Sequence, residues 1–99
     1  MNEKQLREKI IELTGQYFTK YHNTNKFVSG ETYINYSGRV YDEKEGMSLV
    51  NASLDFWLTT GEFSKTAEKK LAEYLGIRHS ILCNSGSSAN LLALSALTS

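Results

Sequence analysis

The sequence predicts an α/β fold, in which a mostly helical segment leads into the first strand and helix of a larger domain. A short β-prone run, IRHSILC (residues 77–83), follows a helix-like segment. The small-residue loop NSGSS and the apolar run ANLLALSAL come directly after it, so the order is helix, strand, loop and helix. A single strand has no partner within the chain, and we expect residues beyond Ser99 to complete the sheet.

The first element is predicted to be an amphipathic helix over residues 2–22. Its apolar residues recur every three or four positions, and two more widen the stripe: Leu6, Ile10, Ile11, Leu13, Tyr17 and Phe18. Gly15 weakens the middle of this helix without excluding it. Such a helix serves either as a partner-binding arm or, in the interpretation we favour, as an arm that packs on its own protein.

Residues 22–41 are predicted to be extended chain and turns, because Asn, Gly and Ser interrupt short runs of β-prone residues. The segment contains four aromatic residues, which suggest that it lies across another surface: Phe27, Tyr33, Tyr36 and Tyr41. No cysteine or carboxylate stands at metal-ligand spacing beside His22 or His79. We therefore predict no metal site.

A second helix is predicted to begin near Asp42, because Asp42 and Glu45 match the spacing of a capping box. Its apolar stripe consists of Met47, Val50, Leu54 and Trp57. We expect Trp57 to be a core anchor rather than a platform for substrate. The helix is expected to break in the sequence LTTG (residues 58–61), since threonine and glycine disfavour helix.

The third predicted helix is EFSKTAEKKLAEYLG, residues 62–76. Its apolar face consists of Phe63, Ala67, Leu71 and Tyr74. The remaining faces are mostly charged and are expected to point to solvent: Glu62, Lys65, Glu68, Lys69, Lys70 and Glu73. Gly76 stands where a helix-ending glycine is expected, and Ile77 supplies the apolar contact that often follows such a glycine.

The loop before the last helix is a candidate anion site. Gly86 allows a close backbone approach and a positive φ, and Ser87 and Ser88 offer hydroxyl groups. A helix that starts near Ala89 directs its N–H groups towards this loop, so the junction can hold a phosphate. Serine and glycine before a helix also serve as ordinary capping residues, and that simpler interpretation stays open. The loop is neither a P-loop nor a dinucleotide-binding fingerprint, because both sequence patterns are absent.

The last helix is apolar almost all round, with polar residues only at Asn90, Ser95 and Thr98. A helix of this kind is buried on all sides in a folded protein. Three short amphipathic helices and one strand do not suffice to bury it. We therefore expect this chain to be the front part of a larger protein.

Composition argues against several classes of function. In the 99 residues, 11 basic residues balance 11 acidic ones, so the chain lacks the positive charge that a nucleic-acid or membrane-surface binder needs. No stretch approaches the roughly 20 apolar residues of a membrane span, and the N-terminus lacks a signal-peptide core. These features predict a cytoplasmic protein. Cys83 is the single cysteine, so it cannot form an intramolecular disulfide, and its apolar neighbours predict a small core residue.

Nearly the whole chain, and most clearly residues 27–99, resembles the N-terminal region of the DegT/StrS family of sugar aminotransferases and dehydrases. The sequences TTGEF, AEKKLAEYLG and NSGSSANLLAL carry this resemblance. The sequences FVSG, SGRVYDEKEG and LDFWLTTG are similar to the branch of CDP-4-keto-6-deoxy-D-glucose 3-dehydrases rather than to a generic aminotransferase. The architecture that the resemblance implies is that of fold-type I pyridoxal-phosphate (PLP) proteins.

The resemblance implies an enzyme that binds pyridoxamine phosphate (PMP) or PLP. It would remove the C3 hydroxyl of a CDP-sugar in the dideoxysugar biosynthesis of O-antigen lipopolysaccharide. It also implies a homodimer, a [2Fe-2S] cluster and a flavin iron–sulfur reductase as electron donor. By the same resemblance, Gly86, Ser87 and Ser88 would hold the cofactor phosphate.

The other functional residues that the resemblance implies fall into two groups. Thr59, Thr60 and Gly61 would line the sugar end of the site. The catalytic histidine of this branch, the aspartate that pairs with the pyridine nitrogen and the cluster cysteines would all lie beyond Ser99. We therefore expect no catalytic residue among these 99 residues, and a polypeptide that is inactive alone and binds the cofactor weakly or not at all.

The predicted organisation has three parts: an N-terminal helical arm (1–26), an extended segment and helix with a substrate-side loop (27–61), and the start of the large cofactor-binding domain (62–99). Two other functions stay open. A PLP-dependent nucleotide-sugar aminotransferase would differ from a dehydrase in residues beyond Ser99. A small helical interaction module without catalysis would need a monomeric fold with the last helix buried.

Overall fold

The computed structural model describes residues 1–22 and 26–98. The chain divides into two compact units, Met1–Trp57 and Leu58–Ser99. The described residues form four helices, two in each unit: α1 (Glu3–Tyr21), α2 (Glu43–Leu54), α3 (Glu62–Leu75) and α4 (Gly86–Leu97).

Both helices of the first unit begin with a capping box, in which two side chains satisfy backbone N–H groups that have no partner within the helix. At the start of α1, the Asn2 side chain accepts from the Gln5 N–H at 2.9 Å and the Gln5 side chain accepts from the Asn2 N–H at 3.0 Å. At the start of α2, Asp42 and Glu45 form the same reciprocal arrangement. The predicted start of α2 is therefore confirmed.

Two buried glycines lie where α1 packs against α2. A Cβ atom at Gly15 would lie 2.9 Å from the Met47 Sδ atom, and one at Gly46 would lie 2.5 Å from the Phe18 ring. Gly15, which the sequence marks only as a weak point of the helix, thus allows the two helices to approach closely.

Arg7 connects α1 to the C-terminal end of α2. Its guanidinium donates to the Asn51 side-chain oxygen at 2.7 Å and to the Asn51 carbonyl at 2.6 Å. It also pairs with Asp55 at 2.8 Å. The Arg7 side chain is 30% exposed, so these contacts are less screened by water than the other ion pairs described on α1.

The prediction that Trp57 anchors the core is wrong in this structure. The Trp57 side chain is 68% exposed. The reason is that α2 ends at Leu54, and Phe56 has a positive φ of 47°. The apolar stripe continues only as far as the chain is helical, so it ends at Leu54 and does not include Trp57.

Residues 26–41, before α2, are extended chain and turns, as the sequence predicts, whereas residues 23–25 of the predicted segment lie outside the described residues. Tyr41 packs at the end of α1, where its hydroxyl lies 3.0 Å from the His22 Nδ1 atom and its ring contacts Phe18 edge-on. The other three aromatic side chains are 67–103% exposed: Phe27, Tyr33 and Tyr36. Within the described residues, no surface covers these three side chains as the sequence led us to expect.

In the second unit, α3 ends as predicted. Gly76 adopts a left-handed conformation with φ of 67°. The Gly76 N–H donates to the Glu73 carbonyl at 3.2 Å, and the Ile77 N–H donates to the Ala72 carbonyl at 3.0 Å. This pair of bonds is a Schellman motif, which satisfies the last carbonyls of the helix.

The strand predicted at residues 77–83 does not form, and the described residues contain no β-strand. The physical reason is that a strand is stabilised by its neighbours, and this part of the chain has none to pair with. The helical part of the predicted α/β order is confirmed, whereas its strand is absent from the described residues. No helix among them is long and apolar enough to cross a membrane.

Candidate functional site

The last helix begins earlier than predicted. It starts at Gly86 rather than near Ala89, and Ser85 is its capping residue. The Ser85 hydroxyl oxygen accepts from the Ser88 N–H at 3.1 Å, and the same hydroxyl donates to the Ser88 hydroxyl oxygen at 3.1 Å. Gly86, Ser87 and Ser88 are therefore the first three residues of α4 rather than a loop in front of it.

This arrangement leaves two backbone donors available at the start of α4. The Ser88 and Ala89 N–H groups already bond to Ser85. Within the described part of the chain, no acceptor bonds to the Gly86 or Ser87 N–H groups, and the Ser87 hydroxyl makes no described hydrogen bond. No acidic residue lies in the first turn, so the positive end of the helix dipole is not offset there.

Gly86 contributes open space rather than an unusual conformation. Gly30 and Gly76 are the only glycines with a positive φ among the described residues, so the positive φ that the sequence allows at Gly86 is not used. Apart from its two chain neighbours and the backbone of its own helix, a Cβ atom placed on Gly86 would meet no atom within 4 Å. Gly86 and Ser87 are exposed, and a helix N-terminus with unbonded N–H groups can hold a phosphate group such as that of PMP or PLP.

The segment that leads into α4 is held by a residue that the sequence does not single out. The Glu68 carboxylate, on α3, accepts from the Leu82 N–H at 3.0 Å. The Cys83 thiol lies 3.3 Å from the Ser85 carbonyl oxygen. Glu68 resembles the other charged residues of α3 in sequence, so only the folded backbone reveals this contact.

Cys83 is exposed, so the prediction that it is a small core residue is wrong in this structure. The prediction rested on the apolar neighbours of Cys83, but Ile81 and Leu82 are themselves exposed. The thiol makes its contact with a neighbouring carbonyl instead.

Thr59, Thr60 and Gly61 lie at a different place, the N-terminal end of α3. Thr59 and Thr60 are exposed, and Gly61 is half-buried. Gly61 is the capping residue of α3, and its carbonyl accepts from the Lys65 N–H at 3.1 Å. The structure thus places the predicted substrate residues and the predicted cofactor residues at the beginnings of two different helices.

The described residues include no group of three histidine, cysteine, aspartate or glutamate side chains that could hold a metal ion. His22 is engaged otherwise, since its ring stacks on Phe18 with centroids 4.4 Å apart. The chain has one cysteine and does not fit an iron–sulfur cluster, which needs several thiolate ligands.

Comparison with known proteins finds the same family that the sequence resembles. The model of the DegT/DnrJ/EryC1/StrS aminotransferase family matches residues 40–99. The lipopolysaccharide biosynthesis protein RfbH of Salmonella typhimurium is 48% identical over 99 residues, which cover 100% of this chain and 23% of that protein.

Two further relatives are named sugar dehydratases. The dTDP-4-dehydro-2,6-dideoxy-D-glucose 3-dehydratase of Saccharopolyspora spinosa is 48% identical over 73 residues, 74% of this chain and 16% of that protein. The GDP-4-keto-6-deoxy-D-mannose 3-dehydratase of Yersinia pseudotuberculosis is 42% identical over 57 residues, 58% of this chain and 14% of that protein. The chain thus spans less than a quarter of the length of each of these relatives.

Proposed function

Because the chain belongs to the DegT/DnrJ/EryC1/StrS aminotransferase family, we propose that it is the N-terminal part of a PMP-dependent sugar 3-dehydrase. The whole enzyme removes the C3 hydroxyl of CDP-4-keto-6-deoxy-D-glucose. The product serves dideoxysugar formation for O-antigen lipopolysaccharide. The 99 residues alone are inactive.

The names of the relatives support this proposal most directly. Two of them are named 3-dehydratases of nucleotide-linked deoxysugars, and a third is named for lipopolysaccharide biosynthesis. The two dehydratases differ in nucleotide, one acting on a dTDP-sugar and the other on a GDP-sugar. Both act at C3 of the sugar. Their names therefore support dehydration at C3 more strongly than they support CDP as the nucleotide of the substrate.

The role we propose for this chain is to bind the cofactor phosphate at the start of α4. The Gly86 and Ser87 N–H groups donate to phosphate oxygens, and the Ser87 and Ser88 hydroxyls add further donors. The family is PLP-dependent, and the bound pyridine ring would make a PMP proton acidic, so that the electron pair released when a base removes this proton could expel the C3 hydroxyl. Because an anion at a helix N-terminus interacts favourably with the helix dipole, this turn both binds and orients the cofactor.

We also propose roles for the substrate end of the site and for partners of the whole enzyme. Thr59, Thr60 and Gly61 line the sugar end of the site. The whole enzyme is a homodimer, and a separate flavin iron–sulfur reductase is its electron-donating partner. The ligands of the enzyme's own [2Fe-2S] cluster are not among the residues of this chain.

The test is a product assay with the full-length protein, PMP, a flavin iron–sulfur reductase and its reductant. CDP-, dTDP- and GDP-4-keto-6-deoxy sugars are supplied separately, and products are identified by mass spectrometry and NMR. We expect a product that has lost the C3 oxygen, formed fastest from the CDP-sugar. A faster reaction with another nucleotide would contradict the CDP assignment while leaving the reaction intact.

The family's description as aminotransferases supports a second candidate, transfer of an amino group to C4 of the sugar. The same assay, run with PLP and glutamate in place of the reductase, distinguishes the two reactions. An aminotransferase yields a product with a C4 amine and an intact C3 hydroxyl. A dehydrase yields no such product.

The interaction-module hypothesis makes a structural demand that this fold does not meet. It needs the last helix to be buried within a monomer, whereas α4 has no buried residue. Its leucine side chains are 57–85% exposed: Leu91, Leu92, Leu94 and Leu97. This exposure supports the proposal that α4 is covered by other parts of a larger protein.

A further inference from the structure

On the basis of the proposed function, we infer that Glu68 is a positioning residue for the cofactor phosphate. Its carboxylate holds the Leu82 N–H at 3.0 Å and so fixes the segment that leads into the first turn of α4. Glu68 acts through the backbone and does not itself touch the phosphate.

Glu68 differs from the other carboxylates of α3 whose contacts are described. Glu62 pairs with Lys65 at 3.1 Å, and Glu73 pairs with Lys69 at 4.0 Å. These are exposed pairs of neighbours along the helix, a kind that contributes little to stability. The Glu68 residue is half-buried, and its hydrogen bond, which is itself exposed, joins it to a backbone N–H 14 residues later in the chain. A carboxylate that accepts from a backbone N–H forms a charge-assisted hydrogen bond, which is stronger than a neutral one.

The position of this bond explains what it controls. Residues 77–84 connect the Schellman end of α3 to Ser85, the cap of α4, and they form no strand. The segment is fixed at its start by the Ile77 N–H, which bonds to the Ala72 carbonyl. Near its other end, the Glu68 bond ties Leu82 back to the middle of α3. Ser85 follows only three residues later, so the bond limits where α4 begins.

The consequence for the cofactor is geometric. The Gly86 and Ser87 N–H groups bind a phosphate oxygen well only over a narrow range of distance and angle. If the segment before Ser85 moves, both donors move with the first turn of α4, and both hydrogen bonds weaken together. A glutamine at position 68 keeps an acceptor oxygen at the same place, whereas an alanine removes it.

The experiment compares Glu68→Ala and Glu68→Gln with Glu73→Ala, an exposed glutamate of the same helix, in the full-length protein. The two readouts are hydrogen exchange of the Leu82 amide and the dissociation constant of PMP measured by fluorescence titration. For Glu68→Ala, we expect Leu82 exchange about tenfold faster and PMP binding about tenfold weaker, the loss corresponding to one charge-assisted hydrogen bond. For Glu68→Gln, we expect both values within about threefold of wild type, because the amide oxygen still accepts. Glu73→Ala should match wild type in both.

Three results would overturn the inference. In the first, Glu68→Ala leaves the exchange of Leu82 unchanged, which means that another acceptor, such as a neighbouring strand in the full-length protein, takes this N–H. In the second, exchange becomes faster while PMP affinity is unchanged, so the segment is held by Glu68 but does not position the site. In the third, the wild-type protein does not bind PMP. This result contradicts the proposed function as well, and so differs from the first two, in which wild-type binding is intact.

Discussion

Gly15 and Gly46 hold the two helices of the first unit close together, but their neighbours differ in stiffness. The atom nearest to an added Cβ at Gly15 belongs to Met47, a flexible side chain that can move aside. At Gly46 the nearest atoms belong to the ring of Phe18, which is stacked on His22. The two positions therefore differ in how well they tolerate a methyl group.

We predict that Gly46→Ala destabilises the first unit and that Gly15→Ala does not. A Cβ at Gly46 would lie 2.5 Å from the Phe18 ring, and such overpacking costs about 1–3 kcal/mol. The higher helix propensity of alanine, worth about 1 kcal/mol, stabilises both variants. It offsets the displacement of Met47 at Gly15 but not the larger overpacking at Gly46. The free energy of unfolding, measured by denaturant titration, distinguishes the two variants. Equal stability of the two would show that Phe18 is not fixed as described.

At this scale, the sequence predicts residues whose role depends on near neighbours. Asp42 with Glu45, and Gly76 at the end of α3, were predicted from spacing alone and are confirmed. Glu68 could not be predicted, because its partner, the Leu82 N–H, comes close only when the chain turns back after Gly76.

Helices and strands differ in the same way, because a helix depends on near neighbours in the sequence and a strand on distant ones. Each helix carries its own period and most of its hydrogen bonds, so all four helices could be predicted from the sequence. Their exact ends depend on finer chemistry, and α4 was predicted too late because Ser87 and Ser88 are as suitable for capping as Ser85. A strand depends on neighbours, and the predicted strand at 77–83 is not formed where the described residues provide none.

The two serines at the start of α4 should respond differently to substitution. Ser85→Ala removes the cap, which costs about 1 kcal/mol, and increases fraying of the first turn of the helix. Ser87→Ala leaves the cap intact but removes a proposed phosphate donor, so it should weaken PMP binding without fraying the helix. Hydrogen exchange of residues 88–90 together with PMP titration separates these effects. Fraying in Ser87→Ala would instead assign the capping role to that residue.

For the whole molecule, the exposed apolar surface is the feature that needs an explanation. Ala72 is the buried apolar residue of the described chain, while the leucines of α4 face outward. The relatives are several times longer than this chain, and a larger body would supply the missing cover. The apolar pattern of the last helix predicts that the protein is larger, but only the resemblance to known sequences predicts its family.

We predict that the 99 residues alone associate through α4. Leu91→Glu, which places a charge on this helix, should shift the sedimentation profile towards monomer. Leu49→Glu is the matched control, because Leu49 on α2 is 71% exposed and Leu91 is 66% exposed. A monomeric wild-type chain, or an equal effect of both variants, would contradict the prediction.

The most direct test of the phosphate site compares the affinity of the full-length protein for PMP with its affinity for pyridoxamine, which lacks only the phosphate. Two charge-assisted hydrogen bonds from the Gly86 and Ser87 N–H groups correspond to a preference for PMP of about a hundredfold. Gly86→Ala should reduce that preference without disturbing α4, because its added Cβ meets no protein atom within 4 Å apart from its chain neighbours and its own helix backbone, but would occupy space beside the phosphate. Equal affinity of the wild-type protein for the two compounds would contradict the account.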